Sequence, residues 1–193
     1  MIRSARERYS LRSLSHFRQI TNVIVKTIAV AALMYGAGAF AAHASIQVGF
    51  SPEGSARALV LDSINHAQHS IDMMAYSFQY ADIVQALVNA EKRGVVVRAV
   101  IDKKRNEGKV SQKAIAFAAA NGVDVQLDGH YHIQHDKVMI IDGDTLETGS
   151  FNFAKSAEFA NSENVLVIRD EPAVVAQYQA HFDSRWKIAH QSG

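Results

Sequence analysis

The sequence predicts an α/β fold: a single-domain α-β-α sandwich with a mostly parallel central sheet and an added hairpin. Three observations predict it. From Ser45 to Leu127, short apolar or β-branched runs alternate with segments of helical periodicity, the rhythm of crossover units. The triplet Asp142-Gly143-Asp144 then joins two apolar runs directly, which is a hairpin signal. The 193 residues are 48% hydrophobic and 20% charged, without internal repeat or low-complexity linker. That is globular composition with enough chain for one sizeable core.

Taken in order, Ile46–Phe50 reads as a short strand and Ser51-Pro52-Glu53-Gly54 as a turn before a helix. Ala56–Ala67 places Leu59, Val60, Ile64 and Ala67 on one helical face. Ser70–Phe78 (SIDMMAYSF) reads as a buried strand, and Ala81–Arg93 as an amphipathic helix stopped by Gly94. The β-branched run Val95–Ile101 suits a central strand. A basic loop, DKKRNEGK, leads to a helix over Val110–Asn121, closed by Gly122, and Val123–Leu127 is the next strand. His135–Ile141 and Thr145–Thr148 form the hairpin and Glu163–Arg169 a last strand. Glu171–Ala189 is a closing helix with the single tryptophan, Trp186.

Charge is unevenly spread. Residues 1–44 hold six basic residues and one acid, and within them Thr27–Ala42 is an uncharged run of 16 residues. A basic start, an apolar run and the small-residue site Ala42-His43-Ala44 predict a signal peptide over residues 1–44, cleaved after Ala44. The run is shorter than the roughly 20 residues of a membrane span. A mitochondrial transit peptide and an uncleaved anchor are the alternatives. The expected location is therefore periplasmic or secreted, with no stable membrane association after cleavage. Residues 45–193 form the remaining domain and carry 14 basic and 18 acidic residues, a net −4. Any polyanion-binding surface on them must be a local patch. The chain has no cysteine, which excludes thiolate zinc sites and cysteine nucleophiles.

The chemistry concentrates at the hairpin. A turn centred on Gly143 pairs positions summing to about 286, setting His135 opposite Phe151 and Lys137 opposite Gly149. His135 and Lys137 are two apart and share a strand face. Gly149, Ser150 and Asn152 return to the same end. These groups suit a phosphodiester. Lys137 offers a fixed positive charge to the non-bridging oxygens, and Ser150 and Asn152 offer hydrogen bonds. Gly149 lets backbone approach closely. A neutral His135 imidazole attacks phosphorus if another group holds its far nitrogen, and Glu163 is the candidate orienting partner. Other readings exist for each residue alone. Ser150 or Asn152 would cap a helix near Ala154, Lys137 would be a solvated strand residue, and Asp142 an ordinary turn aspartate. His130, His132 and His135 also resemble a metal cluster, although His135 has the opposite strand parity to the other two.

Together, His135-x-Lys137, Asp142 and Gly149-Ser150-x-Asn152 match the signature HxK(x)4D(x)6GSxN at every position. The chain therefore resembles the phospholipase D superfamily. IQVGFSPEGSA, MMAYSF, RGVVVRAVID and NSENVLVI extend the resemblance over essentially all of residues 45–193, to its single-motif secreted bacterial endonucleases of the Nuc type. The resemblance implies a phospholipase D-like sandwich that hydrolyses DNA phosphodiesters with little sequence preference, with RNA a further candidate. His135 would form a covalent phosphohistidine, Lys137, Asn152 and Ser150 would bind phosphate, and Glu163 would hydrogen-bond the histidine. Asp142 and Gly149 would be structural members of the motif. No metal and no other cofactor is implied. The alternatives are a lipid phosphodiesterase acting on cardiolipin-like substrates and a nucleic-acid-binding module without catalysis.

No other histidine is followed by lysine at the second position, so the chain has one HxK where in-line displacement calls for two. A homodimer with the active site shared on its two-fold axis is expected. Between Lys92 and Lys113 lie eight basic residues, Arg98 among them, against two acids. Lys103, Lys104, Arg105 and Lys109 are the candidate nucleic-acid contacts, giving salt-dependent affinity without sequence readout.

Overall fold

The computed structural model describes residues 44–191; the expected signal peptide, Ala44 apart, lies outside them. Among the described residues the order is β1 (Ser45–Ser51), α1 (Ser55–His66), β2 (Ser70–Ala75), α2 (Ala81–Lys92), β3 (Val96–Asp102), α3 (Lys109–Ala120), β4 (Asp124–Asp128), β5 (Lys137–Ile141), β6 (Thr145–Gly149), α4 (Lys155–Phe159), β7 (Glu163–Arg169) and α5 (Pro172–Gln191). Every expected element is present. The largest shift is at β2, which ends at Ala75; the start of β5, at Lys137, and the end of α5, at Gln191, each move by two residues.

The strands form one mixed sheet in the order β1-β7-β6-β5-β2-β3-β4. β2, β3 and β4 pair in parallel through the crossovers α2 and α3, as the alternating pattern predicts. The other four pairings are antiparallel. Five of the seven strands run in one direction, so the expected mostly parallel sheet holds for direction but not for pairing. The reason is topological: β5 inserts beside β2, and β1 lies at the far edge against β7 rather than next to β2.

Two cores flank the sheet. Val60 and Ile64 of α1, Leu87 of α2 and Ala118 of α3 cover one face; Val175, Phe182 and Ala189 of α5 cover the other. Successive residues divide between them, Met73 to the first and Met74 to the second. β2 is thus buried on both sides, which is why its sequence is continuously apolar around Asp72. Asp72 itself takes a two-point hydrogen bond from Arg98, at 2.7 Å each. The Arg98 guanidinium lies over the rings of Phe182 and Trp186. This places Arg98 under α5, apart from the basic loop that it precedes in the sequence.

Candidate active site

The hairpin register runs from Val138↔Thr148 to Ile141↔Thr145, each pair summing to 286 as predicted. Asp142 and Gly143 take left-handed conformations, φ 53° and 72°, at the turn. The Asp142 carboxylate accepts the backbone N–H groups of Gln68, His69 and Ser70 at 2.7–2.9 Å. Burial by itself would raise its pKa, but these three donors hold it below the usual carboxylate value. Asp142 therefore pins the turn to the start of β2. The intervening strand, at about 3.3 Å per residue, carries it roughly 17 Å from the His135 end. At that other end Gly149 meets β7. A Cβ there would lie 2.2 Å from Asn164 O and 3.1 Å from Val165 Cα. The close approach that Gly149 permits is to a neighbouring strand rather than to a phosphate.

His135 is exposed just before β5. Its imidazole nitrogens take no hydrogen bond among the described residues, and its ring meets Tyr76 edge-on at 4.5 Å. Its carbonyl accepts a hydrogen bond from Lys137 Nζ at 2.7 Å. Lys137 is only 6% exposed, so it is not a solvated strand residue. Burial lowers its pKa, and the nearby charges of Asp136 and Glu163 oppose that fall. Its ammonium lies 5.1 Å from the Tyr76 ring centroid.

The returning segment alternates. Phe151 and Phe153 are buried, while Ser150 is exposed and Asn152 half-buried. Gln79 and Tyr80 both donate backbone hydrogen bonds to Phe153 O, at 3.0 Å, and fix the segment. Ser150 and Asn164 bond in both directions. Ser150 N–H donates to Asn164 Oδ1, and Asn164 N–H donates to Ser150 Oγ, each at 3.0 Å. The serine oxygen is used as an acceptor, so its proton remains for a ligand. Asn152 Oδ1 is buried without a hydrogen-bond partner among the described residues. The cap of α4 is Ala154, with no side-chain hydrogen bond, so neither Ser150 nor Asn152 caps that helix. Glu163 opens β7 as predicted, but its carboxylate accepts Asn161 Nδ2 at 2.7 Å rather than bonding His135.

The basic loop follows β3. Lys103, Lys104 and Arg105 are exposed, and the Arg105 guanidinium lies 5.7 Å from the Tyr76 ring. Lys104, Arg105, Tyr76 and His132 line a cleft of about 440 Å³ beside the site. Lys109 is exposed at the start of α3 and does not line this cleft. His130 and His132 are exposed, and among the described residues no three His, Asp or Glu side chains gather as a metal-holding group.

Three residues at the site were not singled out from the sequence. Tyr76 stands among His135, Lys137 and Arg105. Asn106 is fully buried; its Oδ1 takes Phe78 N–H, and its Nδ2 donates to Tyr76 O and Asp102 O, at 2.7–2.9 Å. Asp102 is 3% exposed and accepts the N–H groups of Arg105 and Gln134. The signal available was the polar interruption of apolar strand ends, at Tyr76 and Asp102.

The chain is similar to several known proteins. A family model described as "Cardiolipin synthase, PLD-like domain" matches residues 60–186. A phospholipase D of Rickettsia prowazekii is 32% identical over 175 residues, 91% of this chain and 84% of that protein. A mitochondrial cardiolipin hydrolase of Chlamydomonas reinhardtii is 32% identical over 128 residues, 66% of this chain and 56% of that one. The crystal structure of a phospholipase D family member, Nuc from Salmonella typhimurium, superposes with a TM-score of 0.74 at 51% identity. The match covers 75% of this chain and 95% of Nuc.

Proposed function

The chain belongs to the phospholipase D superfamily and is a phosphodiesterase of that superfamily, and from this premise we propose that it is an exported, metal-independent endonuclease acting on DNA with little sequence preference. The observation that carries the proposal is the gathering at one hairpin end of the unbonded His135 imidazole, buried Lys137, the Ser150 hydroxyl and Asn152, beside a basic loop. The 51% identity to Nuc supports it further.

In the proposed mechanism a His135 ring nitrogen attacks phosphorus, while Lys137, Asn152 and Ser150 bind the non-bridging oxygens. The P–N bond forms as the bond to the leaving oxygen breaks, on the opposite side of phosphorus. Each chain supplies one HxK, so a second copy in a C2 homodimer supplies a protonated His135 that gives its proton to the leaving oxygen. That second imidazole then takes a proton from water as the water displaces the first histidine. Glu163 is held by Asn161 within the single chain, and orienting His135 is its proposed task in the dimer.

Plasmid DNA in excess chelator, with and without His135→Ala, tests the proposal. Cleavage that resists chelator and disappears in the variant is expected; cleavage abolished by chelator would refute the metal-free route. A monomer with full activity would refute the shared site. The second reading, a lipid phosphodiesterase, is favoured by the phospholipase D and cardiolipin hydrolase relatives. It predicts conversion of cardiolipin in vesicles to phosphatidic acid and phosphatidylglycerol, with plasmid left intact.

A further inference from the structure

The cleft at Tyr76 does not end at Lys104. A second cleft, of about 360 Å³, shares Asp102, Lys104 and His132 with it and continues past Lys103, Asp128 and Tyr131. The two make one groove that begins at the ring touching His135. One wall is the basic loop, with exposed Lys103, Lys104 and Arg105. The other is the segment from Gly129 to Gln134. It presents Tyr131, exposed His132, and Ile133, which is 49% exposed although aliphatic.

The walls are fastened to each other. A single carboxylate, Asp102, takes Arg105 N–H on one oxygen and Gln134 N–H on the other, at 2.6 and 2.8 Å. Lys103 N–H donates to Asp128 O at 2.9 Å. The groove width is therefore built into the end of β3 rather than left to two free loops. Its floor is acidic: Asp102 and Asp128 are almost fully buried, and Asp128 Oδ2 has no hydrogen-bond partner among the described residues.

Cations on one wall and rings on the other are the two requirements for an unpaired nucleotide strand. Phosphates follow the charges while splayed bases lie on π faces. A duplex presents phosphates to the cations but hides its base faces from the rings. A lipid phosphate would use the cations and leave the rings idle. We infer that this groove is a track for single-stranded nucleic acid, with phosphates along Lys103–Arg105 and bases against Tyr131, His132 and Ile133, leading the strand to His135. The inference rests on the nuclease reading and gives a place to His132, which the hairpin chemistry leaves unused.

The test measures fluorescence anisotropy of dye-labelled probes on the full chain carrying His135→Ala, so that neither probe is cut. One probe is an oligothymidylate and the other a hairpin duplex of equal nucleotide number. The single strand should bind at least about tenfold more tightly, and His132→Ala should shrink that preference about fivefold or more. Tyr131→Ala should act likewise; because Arg185 lies over the Tyr131 ring, its melting temperature is measured alongside, and His132→Ala decides if that variant unfolds. Lys104→Ala should weaken both probes and keep their ratio. Equal affinity for the two probes, or an unchanged ratio in His132→Ala, overturns the track while plasmid cleavage by the parent leaves the nuclease reading standing. A parent that binds neither probe and cuts no plasmid overturns both.

Discussion

The ring of Tyr76 meets that of His135 edge-on, with 4.5 Å between centroids and 61° between planes. Among the described residues no hydrogen bond holds the imidazole, so this contact sets the direction in which its nitrogens point. A nucleophile misdirected by about 1 Å can lose on the order of 100-fold in rate. Tyr76→Leu should therefore lower kcat by about 10- to 100-fold with KM nearly constant, and Tyr76→Phe should restore most of it. Steady-state kinetics on a small phosphodiester separates the two; a rise in KM alone would show that Tyr76 binds rather than orients.

Glu147 lies in β6 between Met139 and Val167 and is 1% exposed. Burial pushes its pKa up to about 8. The folded state thus holds a proton that the unfolded state releases near its ordinary value of 4.5. The contribution of Glu147 to stability is full below that value and is lost as pH rises through about 8. Glu147→Gln should gain on the parent between pH 5 and 8.5 by more than ~1 kcal/mol, since each unit is about 1.4 kcal/mol. Urea titrations across that range give the answer, and parallel curves would contradict it.

Asp142 behaves in the opposite sense. Its folded pKa is depressed, so its contribution is present above the unfolded value of 3.8 and is lost as pH falls through the lower folded one. Asp142→Ala leaves three backbone donors unpaired and should cost about 2–4 kcal/mol. Asp142→Asn keeps one acceptor and should cost less. Chemical denaturation at pH 7 ranks them.

Asn106 connects the basic loop to the site through Tyr76 O and Phe78 N–H. Asn106→Ala should destabilise by about 2–3 kcal/mol. It should also weaken the proposed DNA binding, as the loop after Asp102 loses its ties to Tyr76 and Phe78. Thermal melts and a salt series of DNA binding read the two effects, and an unchanged salt slope would detach Asn106 from the proposed DNA contacts of the loop.

Much of this was legible before the coordinates. The register at 286 follows from a turn whose residues tolerate positive φ, and the apolar periods place all but the short α4. Strand order was not legible. Periodicity records which face of a strand is buried, not which neighbour it finds, so the pairing of β1 with β7 and the antiparallel entry of β5 left no local trace. Ser150 was read as a ligand donor, but half of its hydrogen bonding goes to Asn164, a partner across the sheet. Tyr76, Asp102 and Asn106 escaped for the same reason. Each is ordinary in its own segment and takes its place at the site through contacts 30 to 59 positions away.

β1 is the first strand described and β7 the last, and they close the sheet edge together, Ser51 opposite Glu163. A nascent chain that stops short of β7 holds His135 and Lys137 but lacks Glu163, the Asn164 that fixes Ser150, and the strand on which Gly149 closes. Strand order therefore acts as a clock. The site is unfinished until β7 has emerged, and the cell that makes this phosphodiesterase handles an incomplete tool up to that point.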